Sequence, residues 1–442
     1  MNVASFLLLL SAPTARKSAS SLAIRITGLA LGFLQAVLCA RLLGAEGYGM
    51  LALALAVAQI AATVALLGLH GLAVRRVAEL MAVKALHEIR SFTARALAIA
   101  AMTGLGASLI LAGAAVAFAG WLAPYDGVIL AASLLVLPVA LIQLFRGVTQ
   151  GAGAIVRSQL PGDIIRPALF CAALLIVAAT GTMLTPSFGL LLLAAAWLLA
   201  TAIGGVWCRT AISRPEIGRP DDVAPFRLLA AAIPFLGLNL GAIAMAEAGT
   251  LLLGLFAPPD EVGIYQPAAR LLVLMTVPIQ AAAIAFAPRI AELNARGEIA
   301  AISALTRRFT LVTTVGTVVV SLAMALTAPW LLALFGGEFA SAAPLVWIFA
   351  LTQIAHAACG PVGYLMTMTG RTGSALRGQL AGLTANLVGG VVLVYFYGAP
   401  GAAMAASFGI LVWNFVLVVM VRRQFHFDPT LVSAFRRAPS AV

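Results

Sequence analysis

Twelve times along this chain, about 20 consecutive residues are predominantly apolar, with only short polar breaks between the runs. An α-helix rises about 1.5 Å per residue, so each run is long enough to cross roughly 30 Å of hydrocarbon. The runs lie near Ser20 to Ala40, Gly47 to Gly71, Ala96 to Ala119, Val128 to Gln150, Ile164 to Gly181, Gly189 to Cys208, Leu228 to Phe256, Gly263 to Ala287, Phe309 to Phe335, Ala343 to Thr369, Leu380 to Tyr397 and Ala402 to Val421. Hydrophobic residues fill 62% of the 442 positions and charged residues 10%, whereas soluble domains are about a quarter charged. The expected fold class is therefore an all-α polytopic membrane protein of about twelve transmembrane helices.

Lysine and arginine set the expected orientation, because short cytoplasmic loops retain them. With the N-terminus inside, the inner segments hold Arg75, Arg76, Lys84, Arg90, Arg95, Arg157, Arg209, Arg289, Arg296, Arg371, Arg377, Arg422 and Arg423, among others. The outer loops hold only Arg41, together with Glu46, Asp126, Asp260, Glu261 and Glu338. The alternation survives every crossing, which predicts both termini in the cytoplasm. The net charge of +12 is then mostly topology, and its spread over separate loops excludes a nucleic-acid stripe.

A polar stretch with Pro215, Pro220 and Pro225 divides the chain. We expect a lead-in at 1–18, a six-helix lobe at 19–208, a cytoplasmic linker at 209–227, a second six-helix lobe at 228–421 and a tail at 422–442. Similar outer turns, Ala45-Glu46-Gly47-Tyr48-Gly49 and Asp260-Glu261-Val262-Gly263-Ile264-Tyr265, follow the first span of each half. Two such halves would enclose a central cavity, as in transporters built from parallel repeats.

A charge at mid-membrane costs ~2.5–3.5 kcal/mol on insertion scales, so such residues normally face a bundle interior or a wet cavity. Arg25, Arg146, Asp163, Arg166, Glu247 and Arg270 are the candidates. Arg25 shares a helical face with Gly28, Gly32 and Gln35, within about 80° of one another at roughly 100° per residue. Its alternative is to snorkel towards the cytoplasmic end of its span. Gln266 lies one turn before Arg270 on the same face, and Asn239 two turns from Glu247. Glu247 either pairs with an arginine such as Arg270 or Arg25, or titrates in ion coupling. Asp163, after Pro161-Gly162, is read as a helix N-cap or as a partner of Arg166.

The histidines His70, His87, His356 and His426 show no ligand spacing, and no phosphate-binding glycine loop with a following lysine occurs. The cysteines are unpaired in spacing and are expected to be packing residues. No cofactor or metal is expected. The short outer loops leave no room for the large catalytic loop of a membrane glycan polymerase or ligase.

Three ordered stretches carry a resemblance. The first is Arg41-Leu42-Leu43-Gly44-Ala45-Glu46-Gly47-Tyr48-Gly49, continuing to Leu67-Gly68-Leu69 and Val74-Arg75. The second is Val262-Gly263-Ile264-Tyr265-Gln266-Pro267-Ala268-Ala269-Arg270-Leu271, followed by Ala287-Pro288-Arg289-Ile290-Ala291. The third runs from Leu334-Phe335-Gly336-Gly337-Glu338-Phe339 through Pro344-Leu345 and Gly360-Pro361 to Met368-Thr369-Gly370. In these the chain resembles the polysaccharide transporters of the multidrug, oligosaccharidyl-lipid and polysaccharide exporter superfamily. The resemblance implies a flippase that carries a polyprenyl-diphosphate oligosaccharide from the cytoplasmic to the outer leaflet of a bacterial inner membrane, for surface or exopolysaccharide synthesis. It leaves association with polysaccharide assembly enzymes open, and a monomer is the default state.

Arginine suits that cargo, since its planar fork donates paired hydrogen bonds to phosphate. Arg25, Arg270, Arg146 and Arg166 are the expected diphosphate or anionic-sugar ligands, with Gln35, Asn239, Glu247 and Gln266 as polar or ion-coupling residues of the cavity. Arg25 and Arg270, one from each half, are expected to engage the diphosphate during alternating access. A cation-coupled multidrug exporter of the same superfamily is the main alternative. It usually relies on first-half membrane acids, of which only Asp163 is present here.

Overall fold

A computed structural model describes residues 13–212 and 225–435. The expected lead-in at 1–12, much of the linker and the end of the tail, with Arg214, Arg219, Arg436 and Arg437, lie outside the described residues. Among the described residues, regular structure is helical throughout. The main elements are α1 (Pro13–Ala65), α2 (Leu69–Ala82), α3 (Leu86–Ala117), α4 (Asp126–Gly151), α5 (Ile155–Thr180), α6 (Pro186–Ala211) and α7 (Pro225–Phe256). They are followed by α8 (Pro259–Ala295), α9 (Ile299–Ala333), α10 (Gly337–Ala358), α11 (Val362–Met368) and α12 (Thr372–Phe425).

Ten of these, all but α2 and α11, are long and apolar enough to cross a membrane. Two of the ten bend at a glycine. Gly44 (φ 68°, ψ −179°) breaks α1 and Gly398 (φ 56°, ψ −131°) breaks α12. Both sit at positive φ, where any side chain is strained. Each arm of either helix is long enough to span by itself, at about 20 residues per span, so the ten helices offer length for about twelve crossings. The all-α membrane fold expected from the sequence is borne out. Apolar side chains point outward as lipid requires: Met102, Leu109 and Ile110 on α3 are 71%, 64% and 74% exposed.

The chain packs as two compact units, residues 1–243 and 244–442, so the division falls inside α7, beyond the expected linker at 209–227. The reason is local. Leu67 and Gly68 turn left-handed between α1 and α2, and a side chain at Gly68 would strike the backbone of Ala232 and Leu236. Gly71 faces the ring of Phe235. Leu228 and Ala232 are buried in one core with Leu72, Val77, Ile89 and Leu144. The opening turns of α7 are thereby bound to the first unit.

In the second unit, α8, α9, α11 and α12 share a core that includes Ile290, Leu293, Ile302, Leu365, Leu417 and Val421. Glu261 braces α12 at its glycine bend. The backbone N–H of Ala399 donates to Glu261 Oε2 at 2.8 Å, and a side chain at Gly398 would meet that same carboxylate.

Candidate functional site

In the first unit, α1, α4 and α5 bring three guanidiniums to one hollow of about 340 Å³, lined by Arg25, Gly28, Arg146, Gln159, Asp163 and Arg166, among others. The approach of α1 to α5 depends on two residues. A Cβ at Gly28 would lie 2.8 Å from the backbone oxygen of Asp163. Pro167, four residues on, has no N–H to give that carbonyl. Residues Pro161–Ile165 form a π-turn within α5, an irregularity frequent at functional sites.

Each arginine is held differently. Arg146 grips Asp163 with both arms of its fork, Nη1 to Oδ1 at 3.0 Å and Nη2 to Oδ2 at 3.1 Å. Arg166 donates from Nη1 to Gln35 Oε1 at 3.1 Å and from Nε to the Gly162 carbonyl at 3.2 Å. Its guanidinium also lies over the Trp197 ring, 4.9 Å from the centroid. Arg25 is exposed and has no hydrogen-bond or ion-pair partner among the described residues. Gln159 and Ser21 hydrogen-bond each other at the rim.

The shared face expected for Arg25, Gly28 and Gln35 is the face turned to this cluster. Asp163 neither caps a helix nor pairs with Arg166; its carboxylate belongs to Arg146. Trp197 and Gln159 were not singled out from sequence. Trp197 is one aromatic inside an apolar span and gives no signal there.

The second unit holds Glu247, Gln266 and Arg270. Gln266 is buried and donates to Thr250 Oγ1 at 2.8 Å, tying α8 to α7. Glu247 is half-buried within electrostatic reach of Arg270 and of the Tyr265 ring hydroxyl. No ion pair within 4.0 Å joins Glu247 and Arg270. Arg270 and Asn239, which lies on the first-unit part of α7, are exposed. Another hollow, of about 360 Å³, opens between α2 and α3. There Arg75 and Arg76 already face Glu79 and Glu88. The hydrogen bond from Arg75, with Arg76 beside it, holds the Glu79 carboxyl below the usual range.

Two all-helical units with ten membrane-length helices, one unit carrying an arginine-lined hollow, define a multi-pass membrane protein. Its fold is that of transporters of the multidrug, oligosaccharidyl-lipid and polysaccharide superfamily. A multidrug-resistance transporter of that superfamily in an inward-facing conformation superposes with a TM-score of 0.73 at 16% identity, covering 92% of this chain and 98% of its own. The lipid II flippase MurJ in an inward closed conformation gives 0.62 at 11%, covering 90% and 86%. A superfamily transporter from Pyrococcus furiosus, described as having a binding pocket of reverse polarity, gives 0.62 at 13%, covering 93% and 95%. No curated protein matches the sequence. Residues 14–294 match the family described as polysaccharide biosynthesis protein, and the chain belongs to that family, as the first two resembling stretches implied.

Proposed function

We propose that the protein is a flippase that moves a polyprenyl-diphosphate oligosaccharide from the inner to the outer leaflet of a bacterial inner membrane by alternating access. The observation that carries this reading is the hollow lined by Arg25, Arg146 and Arg166. Three guanidiniums against one carboxylate favour an anionic head group and disfavour a cationic drug. Membership of a polysaccharide biosynthesis family supports the sugar-bearing cargo. Arg270 adds an exposed cation in the second unit, where Glu247 and Gln266 are polar residues, and Gln35 and Asn239 are polar residues of the first unit. The protein acts as a monomer, without cofactor, and is not an enzyme.

The test is rescue of a deletion strain in which lipid-linked oligosaccharide is followed on the cytoplasmic leaflet. Deletion should cause accumulation there and the wild type should relieve it. Arg25→Gln combined with Arg270→Gln should not relieve it, although the protein is present at wild-type level. No accumulation, with raised sensitivity to cationic drugs instead, would replace this reading with a cation-coupled exporter and make Glu247 the residue to examine.

A further inference from the structure

The Arg146–Asp163 pair is the one arginine contact at the hollow that mimics a cargo. A carboxylate offers a fork two oxygens in a plane, and a phosphate offers the same two acceptor positions at similar spacing. Arg166 donates to an amide oxygen and a backbone carbonyl and lies over a ring, and Arg25 stands open. The pair is also reachable. The Arg146 side chain is 35% exposed and that of Asp163 29%, and both line the hollow. Asp163 is carried on the π-turn, next to the carbonyl that Pro167 cannot bond. A lone guanidinium in a membrane interior is costly, so a resident anion offsets the charge of Arg146 and orders its side chain while no cargo is present.

We infer that Asp163 is a displaceable internal counter-ion: the diphosphate of the cargo takes over the fork of Arg146, and the released carboxylate returns when the cargo leaves. This inference rests on the flippase reading and adds a competitor to its binding site. Asp163 thereby sets how tightly the head group is held and screens out single weak anions, which cannot displace a bidentate partner. Arg25, unpaired, makes the first contact, and exchange at Arg146 completes binding.

The test measures binding of geranyl diphosphate, a short polyprenyl diphosphate, to the purified full chain by titration calorimetry at fixed salt. Asp163→Asn should bind roughly tenfold tighter than wild type, while Asp163→Glu, which keeps the carboxylate, should not gain. In an Arg146→Gln background Asp163→Asn should bring no gain, because the competition it removes no longer exists. A gain of equal size in that background would show only a general change of charge and overturn the inference. Unchanged or weaker binding by a folded Asp163→Asn would overturn it as well. Should Asp163→Asn fold only when geranyl diphosphate is present, the pair is replaceable by cargo, as inferred; failure to fold even then makes it structural and ends the proposal. Wild type that does not bind geranyl diphosphate at all would refute the flippase reading itself, a result distinct from binding without the Asp163→Asn gain.

Discussion

Gly28 shows how much of the hollow depends on one missing methyl group. Its Cα faces the Asp163 carbonyl so closely that a Cβ would lie 2.8 Å from that oxygen, and the contact is backbone, which cannot swing aside. Gly28→Ala should therefore push α1 from α5 at a cost of about 1–3 kcal/mol. The expected result is a melting temperature several degrees lower than that of Gly32→Ala, where nothing lies within 4 Å of the added atom. Equal melting temperatures would mean that the two helices adjust freely. At this scale the sequence was informative about which charged residues stand in apolar helices and silent about whom they meet. Arg25, Gln35, Arg146 and Arg166 stand out because polar side chains are rare in apolar runs. The pairing of Asp163 was hidden, since an acid and an arginine three residues apart face each other on an α-helix but not across the wider π-turn.

At the scale of the element, the glycine bends decide the count of crossings. Sequence runs predicted two separate spans on either side of Gly44 and of Gly398, and the helices join there with almost no intervening loop. The short helix α11 escaped notice because it lies inside the apolar run Ala343 to Thr369, and α2 because most of it falls in the polar break after Gly71. The bend in α12 has a partner that spacing alone could not supply. Glu261, at the start of α8, accepts the Ala399 N–H at 2.8 Å and so caps the second arm from another element. Glu261→Ala should destabilise the second unit by ~1 kcal/mol, the usual worth of a helix cap, whereas Glu261→Gln, which retains an acceptor, should cost less. Thermal unfolding followed by an intrinsic fluorophore checks the order of the two variants.

For the whole molecule, charge placement makes a statement about sidedness that can be tested directly. With Cys39, Cys171, Cys208 and Cys359 replaced by alanine, Asp126→Cys and Asp260→Cys should react with a membrane-impermeant maleimide in intact cells. Arg95→Cys and Arg371→Cys should react only after permeabilisation. The reverse pattern would invert the protein and, with it, the leaflet from which cargo enters. Fold class was legible from run length because the bilayer fixes how long a span must be. The place where the chain divides was not, because it depends on how Gly68 and Gly71 admit the start of α7, a steric fact that composition does not encode.

The two joints at Gly44 and Gly398 also limit what the protein can do in motion. Arms that meet through one or two residues have no slack to slide past each other, so each pair must travel as a single bent strut. These corners present no flap to a protease and no ribbon to an antibody. A tag spliced into either would wedge the strut open, whereas the extended stretch at Gly181–Thr185 can take up an insertion without dragging two spans along.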